Sequence, residues 1–135
     1  KKVELAMDKT YDVLKSANAA IVTSGTATLE TALHNVPQVV CYKGSWISYY
    51  IIRTLIDKSI GFICIVNLIC GRKVVEELIQ ADVNKQRLVS ELHHVLSVSG
   101  RTKMLSGYNY LRNQLGERGA SAKAARLTIR YLTYV

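Results

Sequence analysis

Ser24-Gly25-Thr26, with Glu30 four residues beyond, is the part of this sequence whose residue types and spacing best suit chemistry. It follows the apolar run Ala19-Ala20-Ile21-Val22-Thr23 and precedes a segment with helical spacing, so it reads as a strand-to-helix turn. Such a turn offers backbone N–H groups without intrahelical partners and the positive end of the helix dipole, which together favour an anion. Gly25 would let a phosphate come close to the backbone. The spacing matches neither the Gly-x-x-x-x-Gly-Lys phosphate loop nor the Gly-x-Gly-x-x-Gly fingerprint. Ser, Thr and Gly are also ordinary helix caps, so a plain capped helix start stands beside the anion site as a reading. Glu30 lies one position too far from Thr26 for a capping box. A phosphate at the helix start would repel its carboxylate, unless that carboxylate accepts hydrogen bonds from hydroxyls further along the ligand, such as a ribose diol. A glutamate complementing the helix dipole is the structural alternative.

Asn67 is the lone strongly polar residue between Phe62 and Cys70. Buried, its amide needs partners, and a ligand at a strand end is one choice while a turn or helix cap is the other. The three cysteines, Cys41, Cys64 and Cys70, have no Cys-x-x-Cys spacing and sit in or beside apolar runs, as buried thiols of a reducing compartment do. The adjacent His93 and His94 point about 100° apart on a helix and make no two-ligand site. No Ser/His/Asp arrangement and no metal-ligand cluster is visible, so hydrolytic and metal-dependent chemistry lacks support and no metal is expected.

These residues need a frame to position them, and periodicity supplies it. A helix ending near Ala17 precedes the strand at residues 19–23; a helix from Ala27 to about His34 stops at Pro37; Gln38-Val39-Val40-Cys41-Tyr42 is a second buried strand. Two buried strands joined by a helical crossover are parallel. Ser45 would cap a helix from Trp46 to Asp57, apolar nearly all round. Phe62-Ile63-Cys64-Ile65-Val66 reads as a third strand leading to Asn67, with a helix from about Arg72 to Gln80 behind it. Helices follow, striped by Leu88, Leu92 and Leu96, then, after Gly100, by Leu105, Tyr108, Leu111 and Leu115. Gly116 and Gly119 bracket a last break before a helix from Ala120 to the end. The fold class is α/β: a Rossmann-like parallel sheet with flanking helices and a helical C-terminal tail. Ligands of such sheets bind beyond the strands' carboxyl ends, where this sequence places Ser24-Gly25-Thr26, Lys43-Gly44-Ser45 and Asn67.

The 135 residues suffice for one domain, and 49% hydrophobic against 21% charged residues excludes a disordered chain. No apolar run approaches the roughly 20 residues of a membrane-spanning helix, so the chain is expected to be cytoplasmic. The opening Lys1-Lys2, without methionine, points to part of a longer protein. The net charge of +8 is uneven: residues 1–98 carry +2 and residues 99–135 carry +6. Such a basic end suits nucleic acid, an anionic lipid surface, a phosphorylated substrate or a merely solvated helix face. Most tyrosines fall within apolar patterns rather than between exposed basic residues, which argues against nucleic acid.

The stretch Thr23-Ser24-Gly25-Thr26-Ala27-Thr28-Leu29-Glu30-Thr31-Ala32, then Val36-Pro37 before Val39-Val40-Cys41-Tyr42-Lys43, then Asn67-Leu68-Ile69 with Glu77-Leu78-Ile79-Gln80, resembles the C-terminal half of the lipid-A-disaccharide synthase family. The resemblance is strongest from Asn18 to Gln80 and looser over Gly119-Ala120-Ser121 and the helix after it. It implies half of a GT-B fold, residues 1–135 being the C-terminal nucleotide-sugar-binding domain and the N-terminal acceptor domain lying outside them. It implies an inverting transferase that moves 2,3-diacylglucosamine from its UDP donor to 2,3-diacylglucosamine 1-phosphate in lipid A biosynthesis and releases UDP. UDP-sugar is then a substrate, no cofactor is needed, and the general base belongs to the other half, so this chain alone is expected to be inactive. The roles it carries over are Ser24, Gly25 and Thr26 at the pyrophosphate, Glu30 at the ribose and Asn67 in the cleft as the catalytic candidate. Glu77 and Gln80 match the family pattern without an assigned role. Val66 and Glu76 depart from it, since many members have proline at both positions.

The implied partners are both sugar-lipid substrates, the chain's own N-terminal domain and a membrane surface, with the enzyme peripheral on the inner face of the bacterial inner membrane. The apolar helix at residues 46–56 and the basic tail suit that surface. Self-association through the last helix, whose Leu127, Tyr131 and Tyr134 oppose Lys123, Arg126 and Arg130, is a further expectation. The alternatives are another GT-B UDP-sugar transferase, such as the peptidoglycan N-acetylglucosaminyltransferase, and a non-catalytic nucleotide-binding module.

Overall fold

Short apolar runs divided by Gly, Pro and Ser/Thr fold here into alternating strands and helices. The computed structural model describes residues 2–23, 25–44, 61–116 and 119–132. In chain order these form α1 (Thr10–Ser16), β1 (Ala20–Thr23), α2 (Thr26–Leu33), β2 (Gln38–Tyr42), α3 (Ile65–Cys70), β3 (Glu76–Ile79), a 3-10 turn (Gln80–Asp82), α4 (Lys85–Leu96), α5 (Val98–Leu115) and α6 (Ala120–Leu132). The strands lie in the order β1-β2-β3 and pair in parallel, with Val22 beside Val40 and Val40 beside Glu77. This is the α/β, Rossmann-like arrangement the sequence predicts, with helices packed on the sheet and a helix at the C-terminal end. The helix expected at Trp46–Asp57 and its cap Ser45 lie outside the described residues.

The core joins the strands to α2–α5. Val39, Val40 and Leu78 of the sheet, Ala32 of α2, Val66 and Cys70 of α3, Val95 of α4 and Met104, Tyr108 and Leu111 of α5 are its buried members. Ser97 ends α4 and starts α5, its Oγ accepting from the Gly100 N–H at 3.1 Å. Gly100 therefore lies inside α5's first turn rather than before it, and a Cβ there would run into the His94 carbonyl. A buried polar link fastens α5 to the sheet: Gln38 Nε2 donates to the Thr28 carbonyl at 2.9 Å and lies 3.2 Å from the Tyr108 hydroxyl, which donates to the Val36 carbonyl at 3.1 Å.

The third strand is a correction. Phe62–Val66 was expected as strand and 72–80 as helix, but α3 begins at Ile65 and the strand is Glu76–Ile79. A short apolar run fits a buried helix as well as a buried strand, and periodicity alone does not separate them. Tertiary pairing decides: β3 completes the sheet beside β2, its Leu78 enters the core, and its two carboxylates are satisfied on opposite sides. Glu76 pairs with Lys73 and with Arg87 of α4 at 3.3 Å, while Glu77 turns toward the start of α3.

Candidate nucleotide-binding turn

α2 starts beyond the carboxyl end of β1. Gly25 is its N-cap, with φ 140° and ψ −165°, and no side chain caps the helix there. That φ lies in a region side-chain-bearing residues rarely adopt, so Gly25 is required by conformation, although a Cβ would meet nothing within 4 Å. The Gly25 carbonyl is held twice, by the Thr28 N–H at 3.2 Å and by the Thr28 hydroxyl at 2.7 Å. Thr28 is fully buried, whereas Thr26 and Ala27 are exposed, so the outer lip of the turn faces solvent and the inner lip is anchored. The carboxylate of Glu30, half-buried one turn along, has no hydrogen-bond or ion-pair partner among the described residues. Ser24 lies outside them. Gly25, Thr26 and Glu30 are thus brought together on one helix start, as the sequence predicts.

The far end of α2 is closed. Arg112 donates from Nη2 to the Leu33 carbonyl at 2.9 Å and to Asn35 Oδ1 at 2.8 Å. A cation there also suits the negative end of the helix dipole. The helix is pinned at its carboxyl end and left open at its amino end, a polarity that fits an anion arriving from outside.

Asn67 is placed differently from its expected position at a strand end. It lies within α3, fully buried, with its whole amide engaged: Nδ2 donates to the Val75 carbonyl at 2.9 Å and to Glu77 Oε1 at 2.7 Å, and Oδ1 accepts from the N–H groups of Val74 at 2.7 Å and Val75 at 3.0 Å. Its partners are the loop leading into β3 and the Glu77 carboxylate rather than an open edge. The half-buried Glu77 in turn accepts from the N–H groups of Ile63 at 2.9 Å and Cys64 at 3.1 Å. This cluster is what sequence reasoning missed. The available signal was a glutamate next to Leu78 in a strand-length segment, since a carboxylate packed into a sheet face must find donors.

At the carboxyl end of β3, Gln80 takes φ 51° and donates from Nε2 to the Gly44 carbonyl at 3.1 Å, joining the loops after β2 and β3. A cavity of about 300 Å³ lies elsewhere, lined by Lys73, Glu76, Glu91, His94 and Lys103. A smaller one of about 170 Å³ touches Gly61, Phe62, Asn67, Glu77 and Ile79. A turn on an open sheet edge encloses no volume by itself and needs a second wall to become a pocket. No group of three metal-ligating side chains occurs among the described residues. Cys64 and Cys70 are buried and Cys41 half-buried; burial pushes all three thiols above their ordinary range, which keeps them protonated and unreactive. No described helix is long and apolar enough to cross a membrane.

Comparison with known proteins agrees with this architecture. The sequence model of the lipid-A-disaccharide synthetase family matches residues 2–129. The chain is 42% identical over 128 residues to a lipid-A-disaccharide synthase of Syntrophus aciditrophicus, covering 94% of this chain and 33% of that protein. It is 38% identical over 125 residues to the enzyme of that name from Anaeromyxobacter sp. strain K, covering 92% and 32%. Against that of Myxococcus xanthus it is 37% identical over 122 residues, covering 90% and 31%. The chain spans about a third of the length of these relatives.

Proposed function

The chain belongs to the lipid-A-disaccharide synthetase family, and we propose that it is the donor-binding half of a GT-B transferase that moves 2,3-diacylglucosamine from UDP to 2,3-diacylglucosamine 1-phosphate. The observation that carries this reading is the start of α2, with no side-chain cap, at the carboxyl end of a parallel strand, with a carboxylate one turn away that has no partner among the described residues. The diphosphate of UDP sits against the first-turn N–H groups and dipole of α2, with Gly25 allowing the close approach. Glu30 accepts from the ribose hydroxyls. Negative charge grows on the diphosphate as the sugar–phosphate bond breaks, and a helix start preorganised toward it stabilises that charge without rearrangement. The acceptor hydroxyl loses its proton to a base in the N-terminal half, so this chain alone holds donor and does not turn over. Asn67 serves the reaction from inside α3 by ordering the elements behind the site.

The acyl chains of both substrates require the enzyme to work at a membrane surface, on the inner face of the inner membrane. α6 contributes to that setting or to contact with the rest of the protein: it has no buried residue, and Leu127, Ile129, Tyr131 and Leu132 are exposed opposite a basic side. Isothermal titration of the chain with UDP and ADP tests the reading. Saturable UDP binding with weaker ADP binding is expected; equal or tighter ADP binding overturns the uridine assignment.

A further inference from the structure

The end of the sheet away from the nucleotide turn carries a cavity that the transfer reaction does not use. It holds about 220 Å³. Arg72, Lys73 and Val74, from the loop that enters β3 at its amino end, form one wall, and Lys103, Ser106 and Gly107 of α5 form the other. Three cations and a hydroxyl converge there, and no carboxylate lines it. The walls stand close because Gly107 has no side chain: a Cβ on it would run into Val74. The cavity of about 300 Å³ adjoins this one, sharing Lys73, Val74 and Lys103 with it.

The charges around this groove do not cancel. In the adjoining cavity Glu76 pairs with Lys73 and with Arg87 at 3.3 Å, and Glu91 lies 3.8 Å from Arg87. Both acids are thus answered by Lys73 and Arg87. Arg72 and Lys103 have no ion pair or hydrogen bond among the described residues. Their neighbours on α5 are engaged: Arg101 donates to the Asn18 carbonyl at 3.0 Å, and Arg112 closes α2. The Arg72 guanidinium lies over the Tyr110 ring, 4.5 Å from its centroid. Stacking steadies its plane and leaves its N–H groups to grip an acceptor in fork geometry. Like charges gathered at one mouth repel each other, and an anion with several acceptor oxygens relieves that repulsion.

We propose that this groove is a second anion site, for the phosphate group of a phosphomonoester, separate from the nucleotide turn. Arg72 takes two phosphate oxygens, Lys73 and Lys103 supply point charges, and the Ser106 hydroxyl donates a hydrogen bond. The groove lies beyond the amino end of β3, so its ligand leaves the donor's place at the carboxyl ends untouched. The phosphate arrives on a small soluble molecule or on a lipid headgroup, and the groove meets the same chemistry in both.

The experiment follows the backbone amide resonances of the 135-residue chain during titration with inorganic phosphate. Saturable shifts at residues 72–74 and 103–107 are expected. Lys103→Met should weaken phosphate binding about fivefold, the scale of one exposed charge pair, and Lys103→Arg should restore it. Since Lys103 has no partner in the fold, Lys103→Met should keep the melting temperature and the UDP affinity of the unaltered chain. Glycerol 3-phosphate, and phosphatidylcholine vesicles with and without phosphatidic acid, tell the sources apart. Saturation by glycerol 3-phosphate assigns a soluble ligand; Lys103-dependent binding found only with phosphatidic acid vesicles assigns a headgroup. Shifts that rise linearly and spread over every basic residue, α6 included, overturn the proposal, as does unchanged affinity for all these probes in Lys103→Met. A parallel loss of UDP affinity would put both anions in one place and overturn the separateness of the site.

Discussion

Two helices begin on the side where the strands end, and they are finished in opposite ways. α3 is met by a carboxylate from its own fold: Glu77 takes the N–H groups of Ile63 and Cys64, and Asn67 holds Glu77 in place. α2 has glycine at its cap, exposed Thr26 and Ala27, and no capping side chain. Helix starts leave backbone N–H groups in need of acceptors. Glu77 supplies one to Cys64, the cap residue of α3, and one to Ile63 before it, whereas no side chain caps α2, whose start is left to solvent or to a ligand. The difference identifies the ligand-facing start better than either sequence segment does alone.

The harshest way to break the comparison is to remove the internal anion. Glu77→Ala leaves the N–H groups of Ile63 and Cys64 and the Asn67 amide without their acceptor. Each buried donor left unsatisfied costs about 1–3 kcal/mol. With water reaching part of this half-buried site, a net loss on the order of 3 kcal/mol is expected in urea unfolding. A loss near zero would mean that α3 does not depend on its carboxylate, and the contrast with α2 would disappear.

Glu30 sits at the open start and predicts the reverse pattern. With no partner for its carboxylate among the described residues, its side chain contributes little to the fold. Glu30→Ala should leave the melting temperature within a degree or two of the unaltered chain and cost roughly 1.5–3 kcal/mol of UDP binding, the value of hydrogen bonds to a charged group. Normal UDP binding with an early melt would make Glu30 a structural residue. The two glutamates then form a matched pair, one whose loss is felt in stability and one whose loss is felt in ligand affinity.

Gly25→Ala tests the turn itself. A Cβ there has room, so the penalty comes from φ 140° alone. Holding alanine in such a conformation costs on the order of 1–3 kcal/mol. The chain can relieve part of it by moving the Gly25–Thr26 peptide, which lowers UDP affinity instead. Denaturation and titration on the same variant should together account for a penalty of this size; no change in either would show that the turn tolerates side chains and that its glycine has no conformational role.

What the sequence made legible is what neighbours in the chain decide. The order β1, α2, β2 was readable because Thr23-Ser24-Gly25-Thr26 and Pro37 punctuate it, and Gln38–Tyr42 emerges with the expected bounds. Gly25, Thr26 and Glu30 lie within one turn and a half of helix, so their grouping needed no tertiary information. The exchange of strand and helix between residues 62 and 80 was not readable, because Ile63-Cys64-Ile65-Val66 suits either state and β2 chooses the strand by pairing with Glu76–Ile79. Asn67 was conspicuous as a polar residue in an apolar run, but its partners, Val74, Val75 and Glu77, come together only once that choice is made.

The smallest expected effect sharpens the comparison from outside it. α6 follows Gly119, buries none of its residues, and exposes Leu127, Ile129, Tyr131 and Leu132 at 45–77% of their full surface. Covering each of these large side chains is worth about 1.5–3 kcal/mol, enough for the helix to seek a second copy or the remainder of a longer protein. Neither helix start is built from α6. Ending the chain after Gly119 should therefore convert an associating species to a monomer in light scattering, while leaving UDP affinity and the exchange rates at residues 25–28 and 63–67 where they were. Tail amides strongly protected in a monomeric intact chain would place α6 within this domain's own packing. A change in UDP affinity on truncation would mean that the open start of α2 depends on the tail, and the two helix starts could no longer be compared as independent features of one sheet.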